Sequence, residues 1–345
     1  MEKPEKTLRK PARGTKIEWA THTVNWLAGC TKISPACTNC YAEVMTARLA
    51  TMPNAPARYR EGVVSDRRWT GRVTYDSDAL RAAFDGLRDA TSPRRVFCNS
   101  MSDTFHADAP PESLRHLADR IMHHEKLRHA NGLADRPLMR CDGHVIMLLT
   151  KRPDRLLAWQ REHFPDGLPS WVWVGCTVED QRRADDRIPY LLQVDTAVRF
   201  LSCEPLLGPV DLDKLACRYR SSEAIGVRIG GRHEWPGIQW VIVGGESGPG
   251  ARPMHPEWAR SLRDQCVAAG VPFHFKQWGE YGVTDRPLHD ASFVAYTDGK
   301  PEPFDCGSLN TDRPHMFMSR IGKHAAGRLL DGRTWDEFPG EVRGA

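Results

Sequence analysis

Three cysteines lie close together near the start of the chain, in the run Gly29-Cys30-Thr31-Lys32-Ile33-Ser34-Pro35-Ala36-Cys37-Thr38-Asn39-Cys40-Tyr41, with no fourth cysteine beside them. Thiolates bind soft metal ions, and a four-coordinate centre holding only three of them keeps one position free for water, substrate or a cofactor. A cubane iron–sulfur cluster ordinarily takes four cysteines; with Cys30, Cys37 and Cys40 alone, one iron stays free to chelate a small molecule. The first expectation is therefore redox chemistry at an open metal centre. His22, upstream of Cys30, is the one nearby candidate for a fourth ligand. If it coordinates, a Cys3His zinc site becomes the better reading.

The other cysteines read differently. Cys98, Cys176 and Cys203 fall inside apolar runs and Cys266 on an amphipathic one, where a thiol behaves as a small buried hydrophobe. Cys141, Cys217 and Cys306 belong to no motif. Ten cysteines without regular spacing in 345 residues speak for reduced thiols plus a metal site, not a disulfide framework. No run approaches the length of a membrane span, and Met-Glu-Lys-Pro-Glu-Lys opens the chain without an apolar signal core. A cytoplasmic protein is expected. The net charge of +4 and pI near 8.5 give mild support for a nucleic-acid partner.

The elements that must position these residues alternate regularly. Short runs rich in β-branched and aromatic residues, at 96–99, 145–149, 172–176, 199–203, 240–244 and 273–276, read as buried strands, and 23–29 as a further one. Between them lie amphipathic segments such as 77–90, with Pro111 and Pro256 at first-turn positions and Gly270 as a C-terminal cap. The alternation predicts an α/β fold, a complete or partial (β/α) barrel of parallel strands, with an open doubly wound sheet as the alternative. Two irregular segments, 125–143 and 212–236, read as surface insertions. The organisation expected is a flexible basic arm over 1–16, a barrel domain over 17–280 and a C-terminal extension, 281–345, packing on it.

Nearly every expected strand runs directly into polar residues, which a parallel barrel would gather at one end. After the first come the three cysteines, then Asn99-Ser100-Met101-Ser102-Asp103, Thr150-Lys151-Arg152, Glu179-Asp180-Gln181, Cys203-Glu204-Pro205, Gly244-Gly245-Glu246-Ser247 and Lys276-Gln277. Each has a plainer alternative: Asp103 could cap a helix, Lys151 and Arg152 could be solvated, and Glu179 could sit in a first helical turn. Glu204 is harder to explain away, since a carboxylate buried at a strand terminus without a partner is costly. The glycines at 244 and 245 let backbone amides approach a ribose, carboxylate or phosphate, although neither a Walker loop nor a dinucleotide fingerprint is present.

These residues, together with Thr15-Lys16-Ile17-Glu18-Trp19, Asn25-Trp26 and Leu149-Thr150-Lys151-Arg152-Pro153, resemble a phage-associated family of uncharacterised proteins similar to the radical S-adenosylmethionine superfamily. The resemblance spans most of residues 15–340. It implies a partial (β/α) barrel with a cluster loop after the first strand. The usual superfamily spacing is C-x3-C-x2-C with an aromatic residue before the last cysteine; here it is C-x6-C-x2-C, and the aromatic Tyr41 follows. The glycine-glycine-acid run expected after the second strand is missing there, so Asn99, Ser100 and Asp103 are the local candidates for cofactor contact.

The cysteine motif and the resemblance together imply a radical S-adenosylmethionine enzyme with a [4Fe-4S] cluster on Cys30, Cys37 and Cys40. Lys151, Glu204 and Lys276 are the expected catalytic residues, and Asn99, Ser100, Asp103, Arg152, Glu179, Gly244, Gly245, Glu246 and Ser247 the expected cofactor contacts. An electron donor such as a flavodoxin or ferredoxin is implied, with a nucleic acid or nucleotide as substrate; base modification and lesion reversal both fit. The rival is a zinc-stabilised nucleic-acid-binding protein without catalysis.

Overall fold

A computed structural model describes residues 14–90, 92–130, 144–213, 237–288, 292–296, 301–303 and 315–340. Most of the expected basic arm, most of both expected insertions, and Cys141, Cys217 and Cys306 lie outside these residues. Seven parallel strands form the central sheet: β1 (His22–Val24), β2 (Arg95–Cys98), β3 (Val145–Thr150), β4 (Val172–Thr177), β5 (Arg199–Cys203), β6 (Trp240–Gly244) and β7 (Phe273–Gln277). Their spatial order is their chain order. A doubly wound sheet would reverse order at a switch point, so that alternative is excluded.

The sheet curls. Trp19 packs its ring 4.8 Å from Phe97 on β2 and 6.4 Å from Phe200 on β5. Lys276 on β7 reaches the carboxylate of Glu204 beyond β5 at 3.1 Å. In a flat sheet with strands about 4.8 Å apart, Phe97 and Phe200 would stand about 14 Å from each other, too far for one ring to pack against both. Among the described residues β1 and β7 do not pair with each other, so the barrel is partial. Alternation along the strands divides the core in two. Phe97, Met147, Trp173, Phe200, Trp240 and Ile242 fill the concave side, whereas Val96, Cys98, Ile146, Val174, Cys176, Leu201, Cys203, Val243 and Phe275 face the helices.

Those helices are α1 (Tyr41–Ala50), α2 (Ser77–Arg88), α3 (Pro111–Ala130), α4 (Pro153–His163), α5 (Gln181–Leu192) and α6 (Pro256–Ala269). Local sequence fixes their ends. Asp76 and Asp180 cap α2 and α5 by accepting from Ala79 and Arg183 amides, and Gly270 closes α6 in the left-handed conformation at φ 71°. α3 runs to Ala130, so Glu125 onward begins as helix, not as the expected irregular insertion. Buried Leu117, Ala118 and Ile121 hold that helix on the core, and its polarity reflects the outer face.

Beyond β7 a four-stranded antiparallel sheet forms from β8 (Tyr281–Thr284), β9 (Phe293–Tyr296), β10 (Glu302–Pro303) and β11 (His315–Arg320). The chain then returns along β7. Phe275 donates its amide to the Trp335 carbonyl, Phe273 to the Glu337 carboxylate, and the Trp240 indole to the Glu337 carbonyl. This strap covers the edge of β7 that would otherwise present unpaired amides. Phe338 joins the concave core beside Trp240, with the Arg95 guanidinium 3.9 Å from its ring centre. The amino end of the barrel is thereby plugged, and the carboxyl end is the one left open.

Candidate active site

At the carboxyl end, residues following β1 to β5 and a β7 side chain line one cleft of about 200 Å³. Cys30, Cys37 and Cys40 form part of its wall as free, partly buried thiols, with Lys151 and Tyr41 beside them and Trp19, Phe97, Thr177, Ser202, Glu204 and Lys276 deeper in. Cys40 is the N-cap of α1, so the last of the three thiols stands at the amino terminus of that helix. Burial and Asp103, with Arg152 opposing and the other two thiols adding, push the Cys30 thiol up to about 11. Burial acts the same way on Cys37, but the Lys151 ammonium and hydrogen bonds from Ile33 and Ser34 outweigh it and pull that thiol below its ordinary value.

The cysteine loop is gripped from three sides. From β2 and β3, Asp103 accepts from the Phe105 amide, the Thr150 hydroxyl, the Lys151 amide and Arg152 Nη1, while Arg152 Nη2 donates to Thr31 Oγ1 at 2.8 Å. From α1, the buried Glu43 carboxylate holds Lys32 Nζ at 2.7 Å. From the loop after β6, Glu246 receives Arg252 through two nitrogens at 2.6 and 2.8 Å and the Asn39 amide at 3.0 Å, and Arg252 also donates to the Pro35 carbonyl. Ser102 Oγ adds a 2.6 Å bond to the Gly29 carbonyl. The long first turn of the loop is thus braced along its length by fixed charges.

The floor is different in kind. Glu204 Oε2 accepts from the Trp19 indole at 3.1 Å and from Ser202 Oγ at 3.3 Å, and Oε1 faces Lys276 Nζ. Burial would lower the Lys276 ammonium, but Glu204 and Glu18 overcome it and hold the group above its ordinary value. Gly244 makes room for this pair, since a Cβ there would lie 2.8 Å from Glu204 Oε1.

Of the residues expected to act, Lys151, Glu204, Lys276, Asn99, Ser100, Asp103 and Arg152 line the cleft with the three cysteines. Several have internal work, however. Asn99, with φ at 60°, accepts from the Trp26 and Leu27 amides and donates to Thr104, so its side chain staples the loop after β1. Glu179 lies outside the cleft, fully buried, 2.7 Å from Arg187 of α5. Gly244, Gly245, Glu246 and Ser247 also fall outside the cleft lining; a Cβ on Gly245 would strike the Trp278 carbonyl at 1.8 Å, so that glycine serves strand–loop packing. His22 opens β1 opposite Val96, at the far end of the strand from the thiols, and does not line the cleft. Among the described residues no three His, Cys, Asp or Glu side chains converge to hold a single metal ion. Sequence reasoning assigned no site role to Trp19, Thr31, Lys32, Asn39, Glu43 or Arg252. Trp19 stood in a run that carried the resemblance, and Thr31, Lys32 and Asn39 lie close to the cysteines; nothing marked Glu43 or Arg252 beforehand.

The model of a family described as a protein of unknown function, DUF5131, matches residues 14–339. The chain belongs to that family. No curated protein matches this DUF5131 member. Among solved structures it is similar to a cysteine-to-serine mutant of spore photoproduct lyase, at 11% identity and a TM-score of 0.38, over 86% of this chain and 71% of that one.

Proposed function

We propose that this DUF5131 protein is a radical S-adenosylmethionine enzyme, with Cys30, Cys37 and Cys40 holding a [4Fe-4S] cluster. The observation that carries the reading is the placement of three free thiols on one wall of a cleft whose far side is a charged, aromatic-lined floor. The donor set fits: three thiols with no fourth beside them would leave one cluster position open, and the lysine beside Cys37 favours a thiolate there. When bound, such a cluster supplies one electron to S-adenosylmethionine and so yields a 5′-deoxyadenosyl radical. The chain's own residues do the rest. Lys151 has no carboxylate partner among the described residues and is positioned to take the methionine carboxylate. Trp19 and Phe97 wall the cleft against water, and Glu204 with Lys276 orients the substrate and holds a proton at Lys276 Nζ. The mild basicity of the chain favours a nucleic-acid or nucleotide substrate.

Anaerobic reconstitution followed by iron and sulfide analysis is the test. Cys30→Ala, Cys37→Ala and Cys40→Ala each lose the cluster, whereas Cys98→Ala and Cys266→Ala, buried on the helix side, retain it. Dithionite-reduced parent then yields 5′-deoxyadenosine by liquid chromatography. Equal iron in loop variants and parent, or a loaded parent that yields none with single- or double-stranded DNA or RNA, would refute the reading.

A further inference from the structure

On β4 and β5 the concave face of the barrel is apolar up to one rung. The inward positions are Trp173, Gly175 and Thr177 on the first strand, and Phe200 and Ser202 on the second. Phe200 closes the floor beneath, since a Cβ on Gly175, its partner in register, would lie 2.6 Å from the Phe200 ring. Thr177 and Ser202 are themselves partners in register, line the cleft, and are only 3% and 2% exposed. Ser202 Oγ donates to Glu204 Oε2, so its lone pairs stay open. The Thr177 carbonyl accepts from Arg187, but Thr177 Oγ1 has no hydrogen-bond partner among the described residues. A buried hydroxyl without a partner is costly, and a valine would fill the same space without that cost.

We infer that Thr177 and Ser202 read the buried edge of the substrate, an uncharged flat ring that carries an N–H donor beside a carbonyl acceptor. The inference rests on the proposed nucleotide substrate and names the part of it that enters. Proton counting sets the pattern. With its hydrogen given to Glu204, Ser202 can only accept, whereas Thr177 is free to donate, and the two stand side by side. A ligand N–H meets the first and a ligand carbonyl the second. Charge excludes other groups at this rung. Glu204 and Lys276 already neutralise each other at 3.1 Å beside Ser202, so a phosphate would face Glu204, and an amine Lys276, with no counter-charge left. Shape excludes a sugar, whose hydroxyls point in every direction and would leave some unpaired against Phe97 and Leu149 on the cleft wall. A flat ring turns apolar faces to those walls and its polar edge to the rung.

Uracil is the probe, with N,N′-dimethyluracil, which lacks the N–H, as its control. Ligand-observed NMR titrations of the full chain, before and after anaerobic reconstitution, give both affinities for the parent, Thr177→Val, Thr177→Ser and Ser202→Ala. Thermal melts confirm that each variant folds. The parent is expected to prefer uracil at least about fivefold. Thr177→Val weakens uracil binding by a similar factor and Thr177→Ser restores it, a rescue that a packing role for the threonine would not give. Ser202→Ala removes the preference for the N–H. Equal affinity of the parent and Thr177→Val for uracil, or no preference of the parent for uracil over its control, overturns the inference. So does displacement of uracil by inorganic phosphate, or N-methylacetamide binding as tightly as uracil, which would put an open-chain amide on the rung. A chain that takes up no iron, or a loaded one that yields no 5′-deoxyadenosine with any nucleic acid, refutes the proposed reaction; the uracil titration of the unloaded chain still decides the rung.

Discussion

Glu179 and Glu204 each follow a buried parallel strand, and each pairs with a cation, yet they belong to different parts of the machine. Glu204 continues the inward alternation of Phe200 and Ser202 and so projects into the cleft, where Lys276, Trp19 and Ser202 meet it. Glu179 stands one step farther from its strand. Asp180 caps α5 immediately after it, the alternation ends, and the side chain turns back to Arg187 and, at 4.0 Å, Arg183. One carboxylate lines the cleft; the other is sealed. The lesson is that a polar residue after a barrel strand reaches the cleft only if the strand's inward register still governs it.

The largest effect that can break this comparison is on stability. Glu179→Ala leaves Arg187 buried without its counter-charge, and loss of one partner from such a pair costs about 3–5 kcal/mol. A steep fall in melting temperature is expected, with cluster content per folded molecule unchanged. A stable variant that binds S-adenosylmethionine poorly would instead put Glu179 into the cleft.

The floor pair should behave in the opposite sense. Glu204→Gln retains an acceptor for the Trp19 indole and costs about 1–2 kcal/mol of stability, while 5′-deoxyadenosine formation in the presence of substrate falls by about a hundredfold. Lys276→Met should match it in turnover. Smaller again is Gly244→Ala, whose methyl must displace Glu204 Oε1. Turnover then drops about tenfold with the fold intact, and a loss of stability larger than that of Glu204→Gln would mean that the glycine serves the sheet, not the carboxylate.

Much of the barrel was legible because its signal is local. Near-continuous apolar strands, first-turn prolines and the Gly270 cap each announce themselves within a few residues, and alternation separates Phe200 and Trp240 from Leu201 and Val241. The cysteine loop was legible as a cluster of thiols. What the strand-end polar residues do was not, because their partners lie far along the chain. Asp103 answers to Arg152, Glu246 to Asn39, Arg252 to the Pro35 carbonyl, and Glu204 to Trp19. A run such as Gly244 to Ser247 resembles a ligand cradle in sequence because both uses need a backbone that approaches closely. Here the close neighbours are the Trp278 carbonyl and Glu204. Glu179 carried one usable hint, since Arg183 and Arg187 are spaced to turn one face of α5 toward it.

The finest distinction between the two pairs is in their response to pH. Burial alone would depress the Lys276 ammonium, and the Glu204 and Glu18 carboxylates reverse that, so its folded value stands above the ordinary 10.5. A group raised in the folded state contributes stability that is fully present below its unfolded value and lost as pH rises through the folded one. For the parent, this pair therefore adds no slope near neutrality and loses its contribution only in the alkaline range. In Glu204→Gln the larger opposing charge is gone, burial prevails over the more distant Glu18, and the ammonium falls below its unfolded value. The unfolded chain then binds more protons, and stability rises with pH between the folded and unfolded values, by on the order of 1 kcal/mol per pH unit. Urea titrations of both proteins from neutral to alkaline pH should give slopes of opposite sign. Parallel curves would mean that Lys276 is held by Glu18 and solvent, and that Glu204 is free to meet a ligand by itself.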